Sequence, residues 1–174
     1  MNIKNKKAFT MIELVFVIVV LGILAAVAVP KFAATRTDAQ ISKARSDVST
    51  IRAAIINERQ SRLFRGDSRF ITLLDSTANN AVGTALFTGL APNVMVNTNG
   101  AVLTLLQYGV TSSAANGKWI KTGLTQYTFN LTTGGFGNAV FNYCPIVGPG
   151  CPLAGTFDCA GAGAAAITCA ALTD

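Results

Sequence analysis

The chain has 174 residues, with 14 Lys and Arg against 8 Asp and Glu, a formal charge of +6, 51% hydrophobic residues and no histidine. That length allows an anchor and one small folded domain rather than several. Without histidine, with few carboxylates, and with neither a Gly-x-Ser-x-Gly elbow nor a phosphate-cradling glycine loop ending in Lys and Ser or Thr, the sequence offers no machinery for general acid–base or nucleophilic catalysis.

Residues 1–8 carry Lys4, Lys6 and Lys7 and no acid, and the 21 residues from Phe9 to Val29 contain a single charge, Glu13. As a helix rising about 1.5 Å per residue, that stretch spans roughly 30 Å, the thickness of the hydrocarbon layer, so it is expected to cross a bilayer. The lysines hold Met1 to Ala8 in the cytoplasm and put the remainder on the far side. An ionised side chain at the membrane centre costs about 2.5–3.5 kcal/mol, so Glu13 calls for a partner. The plainer account of Glu13 is snorkelling to the headgroups. A secretory signal cut after Ala26-Val27-Ala28 is a rival reading of the same stretch, but such signals have a shorter apolar run, roughly 7–15 residues.

The basic leader ending in Ala8, then Phe9, the TMIEL run with Glu13, the apolar helix and Pro30 resemble the type IV pilin and type II secretion pseudopilin family, over residues 4 to 60. The resemblance implies that a prepilin peptidase cuts between Ala8 and Phe9 and methylates the new amine of Phe9. The family more often has Gly before the cut, where this chain has Ala8. Cleavage leaves a cationic amine on Phe9, and a neighbouring copy can offer its amine to Glu13. That pairing offsets the desolvation of both charges and makes Glu13 the expected assembly contact. Pro30, which lacks an amide hydrogen, and Gly22, which adds slack, are the expected sites of a helix kink.

Beyond Pro30 the helix is expected to continue through residues 30–65. Ile41, Ala44, Val48, Ile51 and Ile55 recur at spacings of three and four and lay one apolar stripe for the head to cover. Arg45, Arg52 and Arg59 form a second stripe at intervals of seven, expected to face outward, and Glu58 can pair with Arg62. Gly66 is the expected C-terminal cap. Residues 31–69 hold nine Lys or Arg against four acids. Nucleic acid is an unfavoured partner for this basic stretch, because no aromatic side chains interleave with the charges.

Residues 66–174 read as a β-rich head. Phe70 to Asp75 is a short helical or extended piece, and Asn79 to Asn99 a loop. Val102–Tyr108, Lys118–Thr122, Gln126–Leu131 and Asn138–Tyr143 are predicted strands, separated by Gly109, Gly117, Gly123 and Gly134-Gly135. Trp119, Tyr127, Phe129, Phe136, Phe141 and Tyr143 are expected to fill the core. The tail from Pro145 on is rich in Gly, Ala and Cys and is expected to be an irregular loop held by disulfides. Its four cysteines, Cys144, Cys151, Cys159 and Cys169, suit two bridges in an exported segment. Three connectivities are open, of which pairing of neighbours closes the shortest loops. The spacing suits no zinc site, and Asp158 and Asp174 are too few for the calcium site that some pseudopilins carry.

The expected fold is therefore α+β, pilin-like: a long N-terminal helix, transmembrane in its first half, packed on a small antiparallel sheet. The implied function is that of a structural subunit of a type IV pilus-like filament, read first as a type II secretion pseudopilin. The alternatives are a type IV pilin for adhesion, twitching or DNA uptake, and a periplasmic binding module that does not polymerise. The implied partners are further copies of the chain, the prepilin peptidase, an inner-membrane assembly platform with its ATPase, and membrane lipid. The implied location is the inner membrane with the head in the periplasm, then a periplasmic or surface filament. No cofactor, metal or catalytic residue is expected.

Overall fold

The computed structural model describes residues 9–89 and 105–173, apart from the side chains at 33 and 34. The leader with Ala8, residues 90–99 of the loop expected at 79–99, and the first residues of the strand expected at Val102–Tyr108 lie outside the described residues. The chain divides into two units, Met1–Asp38 and Ala39–Asp174, and helix α1, Met11–Leu63, contributes to both.

Over residues 14–29, in the first unit, the helix is apolar around its whole circumference. A helix satisfies its own backbone polar groups, which is what an apolar segment needs in a medium without water. Its side chains bury almost nothing: Met11 is 82% exposed, Phe16 69% and Leu24 61%. The helical assignment runs through Gly22 and Pro30 without a break.

In the second unit the same helix turns amphipathic. Ala44, Val48, Ile51 and Ile55 are at most 1% exposed, and Ile41 packs at the edge of the core, so the three-and-four spacing marks the buried face. Arg62 donates to Glu58 at 3.0 Å, the expected pair one turn apart. The helix ends in a Schellman turn. The Gly66 N–H donates to the Leu63 carbonyl and the Asp67 N–H to that of Arg62, both at 3.0 Å, with Gly66 at φ +84°.

Four antiparallel strands follow as a meander: β3 (Lys118–Lys121), β4 (Gln126–Asn130), β5 (Ala139–Cys144) and β6 (Thr156–Ala160). Trp119 lies opposite Phe129, Tyr127 opposite Phe141 and Tyr143 opposite Phe157, so register places aromatic residues on neighbouring strands side by side. A separate ribbon pairs β1 (Ala85–Leu86) with β2 (Val110–Thr111). Helix α2, Ala164–Thr173, closes the chain and buries Thr168 and Leu172. The core joins the α1 stripe to a cluster of Phe87, Trp119, Tyr127, Phe129, Phe141 and Phe157, with paired ring centroids 4.5–6.3 Å apart.

Besides β1 (Ala85–Leu86), which falls inside the loop expected at Asn79 to Asn99, the structure departs from the sequence reading in three places. The described part of Val102–Tyr108 is not strand, and pairing begins at Val110 instead. There Gly109 lets the backbone close on β1, since a Cβ on it would meet the Leu86 carbonyl oxygen at 2.6 Å. The tail is not an irregular loop, because it carries β6 and α2. Phe157 inserts into the aromatic cluster and holds β6 at the sheet edge, while the alanine-rich run favours a helix on propensity alone.

The third departure is the arginine stripe, which grips the head instead of facing outward. Arg45 donates to the Ala171 carbonyl near the C-terminus of α2, through Nη2 at 2.6 Å and Nε at 3.0 Å. Arg52 donates to the Phe157 carbonyl at 3.0 Å and to Asp158 at 3.1 Å. Arg59 stacks its guanidinium 4.1 Å from the Phe70 ring centre. The two elements of the tail that the sequence conceals are the ones that supply the carbonyls.

Candidate assembly site at the start of the helix

The first turn of α1 explains how a carboxylate is kept at the head of an apolar helix. Thr10 is the N-cap. Its hydroxyl oxygen accepts from the Glu13 N–H at 3.3 Å, and its own N–H donates back to Glu13 Oε2 at 2.8 Å. This is a capping box, with the Thr10 hydroxyl adding a third bond to Oε2 at 2.7 Å. The negative charge also lies where the helix dipole favours it. The first partner of Glu13 is therefore local, a Thr-x-x-Glu signal present in the sequence and absent from the reading of Glu13 as a lone charge.

Around this cap the surface is entirely apolar. Phe9 is 84% exposed, Ile12 73% and Leu14 57%. The helix has a window long and apolar enough to cross a membrane, and none of that window is buried within the chain. At about 25 cal/mol per Å² of apolar surface removed from water, such a stripe is strongly driven toward lipid or toward other apolar helices. Phe9 and Glu13 thus stand together at one end of the span, and Gly22 and Pro30 lie further along the same helix.

The cysteines are elsewhere, in the second unit. Cys144 is bonded to Cys151 and Cys159 to Cys169, so neighbours pair and no cysteine is free. The second bridge ties β6 to α2. Among the described residues no group of three or more His, Cys, Asp or Glu side chains is placed to hold a metal ion.

Within the head, a shallow cleft beside α1 is lined by Lys43, Asp47, Val110, Lys118 and Trp119. Burial pushes the Asp47 carboxyl above its usual range, partly offset by the Trp119 indole N–H that donates to it at 3.1 Å. Asp67 is held down to about 2, chiefly by the bidentate grip of Arg69 at 2.9 and 3.2 Å. The Tyr143 hydroxyl is pushed up by burial and donates to the Ile71 carbonyl at 2.7 Å. These contacts hold the head together.

Residues 3–29 match the sequence model of the prokaryotic N-terminal methylation motif. Two curated proteins of Pseudomonas aeruginosa, each named fimbrial protein, are 41% identical to this chain over 51 residues. The alignment covers 29% of this chain and 33% of each relative, so the chain spans about a third of the length of the curated relatives it matches. No solved structure matches the chain.

Proposed function

We propose that this chain, a member by its N-terminal motif of the type IV pilin and pseudopilin family, is a structural subunit that is cut before Phe9, stored in the inner membrane and polymerised into a filament. One observation carries the reading: the stretch 11–29 of α1, apolar except for Glu13, buries nothing within its own chain and begins with a capped carboxylate inside the stretch that matches the N-terminal methylation motif. Cleavage would expose the Phe9 amine about one helical turn from Glu13. In lipid the amine of one copy and the carboxylate of the next each offset the other's desolvation, so the paired state is favoured over the lone subunit.

Of the two machines that use such subunits, we favour the surface fibre over the secretion pseudopilus. The curated relatives are named fimbrial proteins, and the tail is closed by two disulfides where some pseudopilins carry a calcium site. The head would stand on the periplasmic side during storage, with the assembly platform and its ATPase supplying the work of extraction. A structural role accounts for the chain without enzymatic activity.

The test is Glu13→Ala. The variant should insert in the membrane and fold its head as the parent does, yet yield no filaments in sheared surface material. Filaments in parental amounts would sink the reading; a binding module that does not polymerise predicts instead that neither parent nor variant forms filaments and that the substitution leaves location and activity intact. Deleting the chain separates the machines: loss of surface fibres with normal protein export supports the fimbrial choice, and lost export with normal fibres supports the secretion pseudopilus.

A further inference from the structure

The head contains a charged pair that lies outside the candidate assembly site. Asp75 is wholly buried and the Lys121 side chain is 3% exposed, yet Lys121 Nζ lies 2.9 Å from Asp75 Oδ1 and 3.2 Å from its main-chain oxygen. Oδ1 also accepts the Thr77 N–H at 3.0 Å. Oδ2 lies between two donors, the Tyr127 hydroxyl at 2.8 Å and the Phe87 N–H at 3.2 Å. Phe87 holds φ +60°, a left-handed conformation that bulky residues avoid. Strain of this kind persists where the surroundings over-determine it, and here it accompanies the N–H that Phe87 gives to the carboxylate. Aromatic rings wall the site: Tyr127 lies 5.9 Å from Nζ, ring centre to nitrogen, and Phe87 packs 4.5 Å from Tyr127.

An amine and a carboxyl group held in contact, out of water, have an alternative to remaining an ion pair. Burying two charges is costly even when they are matched, and conversion to an amide removes both. Proximity replaces the search that makes this condensation slow between free molecules. The two donors on Oδ2 are arranged as an oxyanion hole, aimed where negative charge would develop. Both disulfides lie between Cys144 and Cys169, so no side-chain crosslink ties residues 70–89 to the sheet.

We propose that Asp75 and Lys121 condense in the folded head to form an intramolecular isopeptide bond, joining the segment that precedes β1 to strand β3. The Lys121 ammonium first passes a proton to Oδ1, leaving a neutral amine and a carboxylic acid. The nitrogen lone pair then forms a bond to Cγ, and the charge moves to Oδ2, where the Tyr127 O–H and the Phe87 N–H hold it. A second proton passes from nitrogen to Oδ1, the Cγ–Oδ1 bond breaks and water leaves. The product amide keeps one hydrogen on Nζ, and no oxidant, reductant or other reactant is consumed. Tyr127 donates its hydrogen bond throughout and stays protonated. The crosslink does not depend on whether the chain forms filaments.

The test is the intact mass of the full chain, purified without reductant and denatured before measurement. Counted from the N-terminus the purified chain carries, with any N-methyl group included and beyond the hydrogens lost to two disulfides, the chain should be lighter than its sequence by one water, about 18 Da. Trypsin should leave Lys121 uncut, and the digest should contain a branched peptide that joins Asp75 to Lys121. Lys121→Arg keeps a cation on Asp75 without an amine that can condense, and should restore the missing water. Tyr127→Phe removes one donor from Oδ2 and should close more slowly after refolding. A parent chain at the full disulfide-bonded mass, cut by trypsin after Lys121, would overturn the proposal and leave an ordinary buried ion pair.

Discussion

Residues 11–29 and 44–55 belong to one helix, and both depend on apolar side chains, yet they meet opposite fates. Ile18 and Leu21 are each 57% exposed, whereas Ile51 and Ile55 are at most 1% exposed. In the second region apolar residues recur at one helical spacing with charges between them, so a single sheet can cover the stripe. In the first they cover every side, and a sheet packed on one side would leave the rest bare. A uniformly apolar helix therefore needs surroundings on all sides, from lipid or from copies of itself, while a striped one needs only its own domain.

That contrast can be broken by truncating one residue in each region. Ile51→Ala removes a fully buried side chain and should cost about 2–5 kcal/mol of head stability. Ile18→Ala should leave the same unfolding midpoint unchanged. Denaturant titration of the full chain in detergent, followed by the fluorescence of the buried Trp119, reads both variants. Equal losses would mean that the two regions do not differ in what they bury.

A smaller effect sharpens the comparison at the edge of the head core. Burial raises the Asp47 pKa in the folded state above its unfolded value, so the folded state binds that proton more tightly. The stability this contributes is present at low pH and is lost as pH rises through the folded pKa. Asp47→Asn stays neutral and can still accept the Trp119 N–H. It should therefore stabilise the head more at pH 7 than at pH 3, and a pH series of unfolding midpoints checks the sign.

The sequence carries the periodic parts of this molecule plainly. The stripe from Ile41 to Ile55, the cap at Gly66 and the first three strands of the four-stranded sheet all have a repeat or a glycine break that marks them. Strand β6 lies between Gly155 and Gly161 and helix α2 follows Gly163, but the strand is short, with only Phe157 and Cys159 alternating, and the helix has no amphipathic repeat. Their order comes from Phe157 entering the aromatic cluster and from Cys159 bonding Cys169, both of which depend on the rest of the head being folded. The arginine stripe was legible as a stripe, but its direction depended on those hidden elements. The Asp75–Lys121 contact spans 46 residues, and neither residue has a local pattern that announces the other. At the helix start the reverse holds, since the Thr10-x-x-Glu13 spacing is itself a capping box. The roles of Glu13 and Phe9 in assembly rest on chemistry between copies, which one chain does not contain.

The most direct test of the account is the N-terminal residue of the chain recovered from sheared fibres, determined by mass spectrometry of its first peptide. An N-methylated Phe9 followed by Thr10 and the intact apolar helix is the predicted result. A chain that begins at Val29, having lost that helix, or fibres that lack the chain altogether, would contradict it.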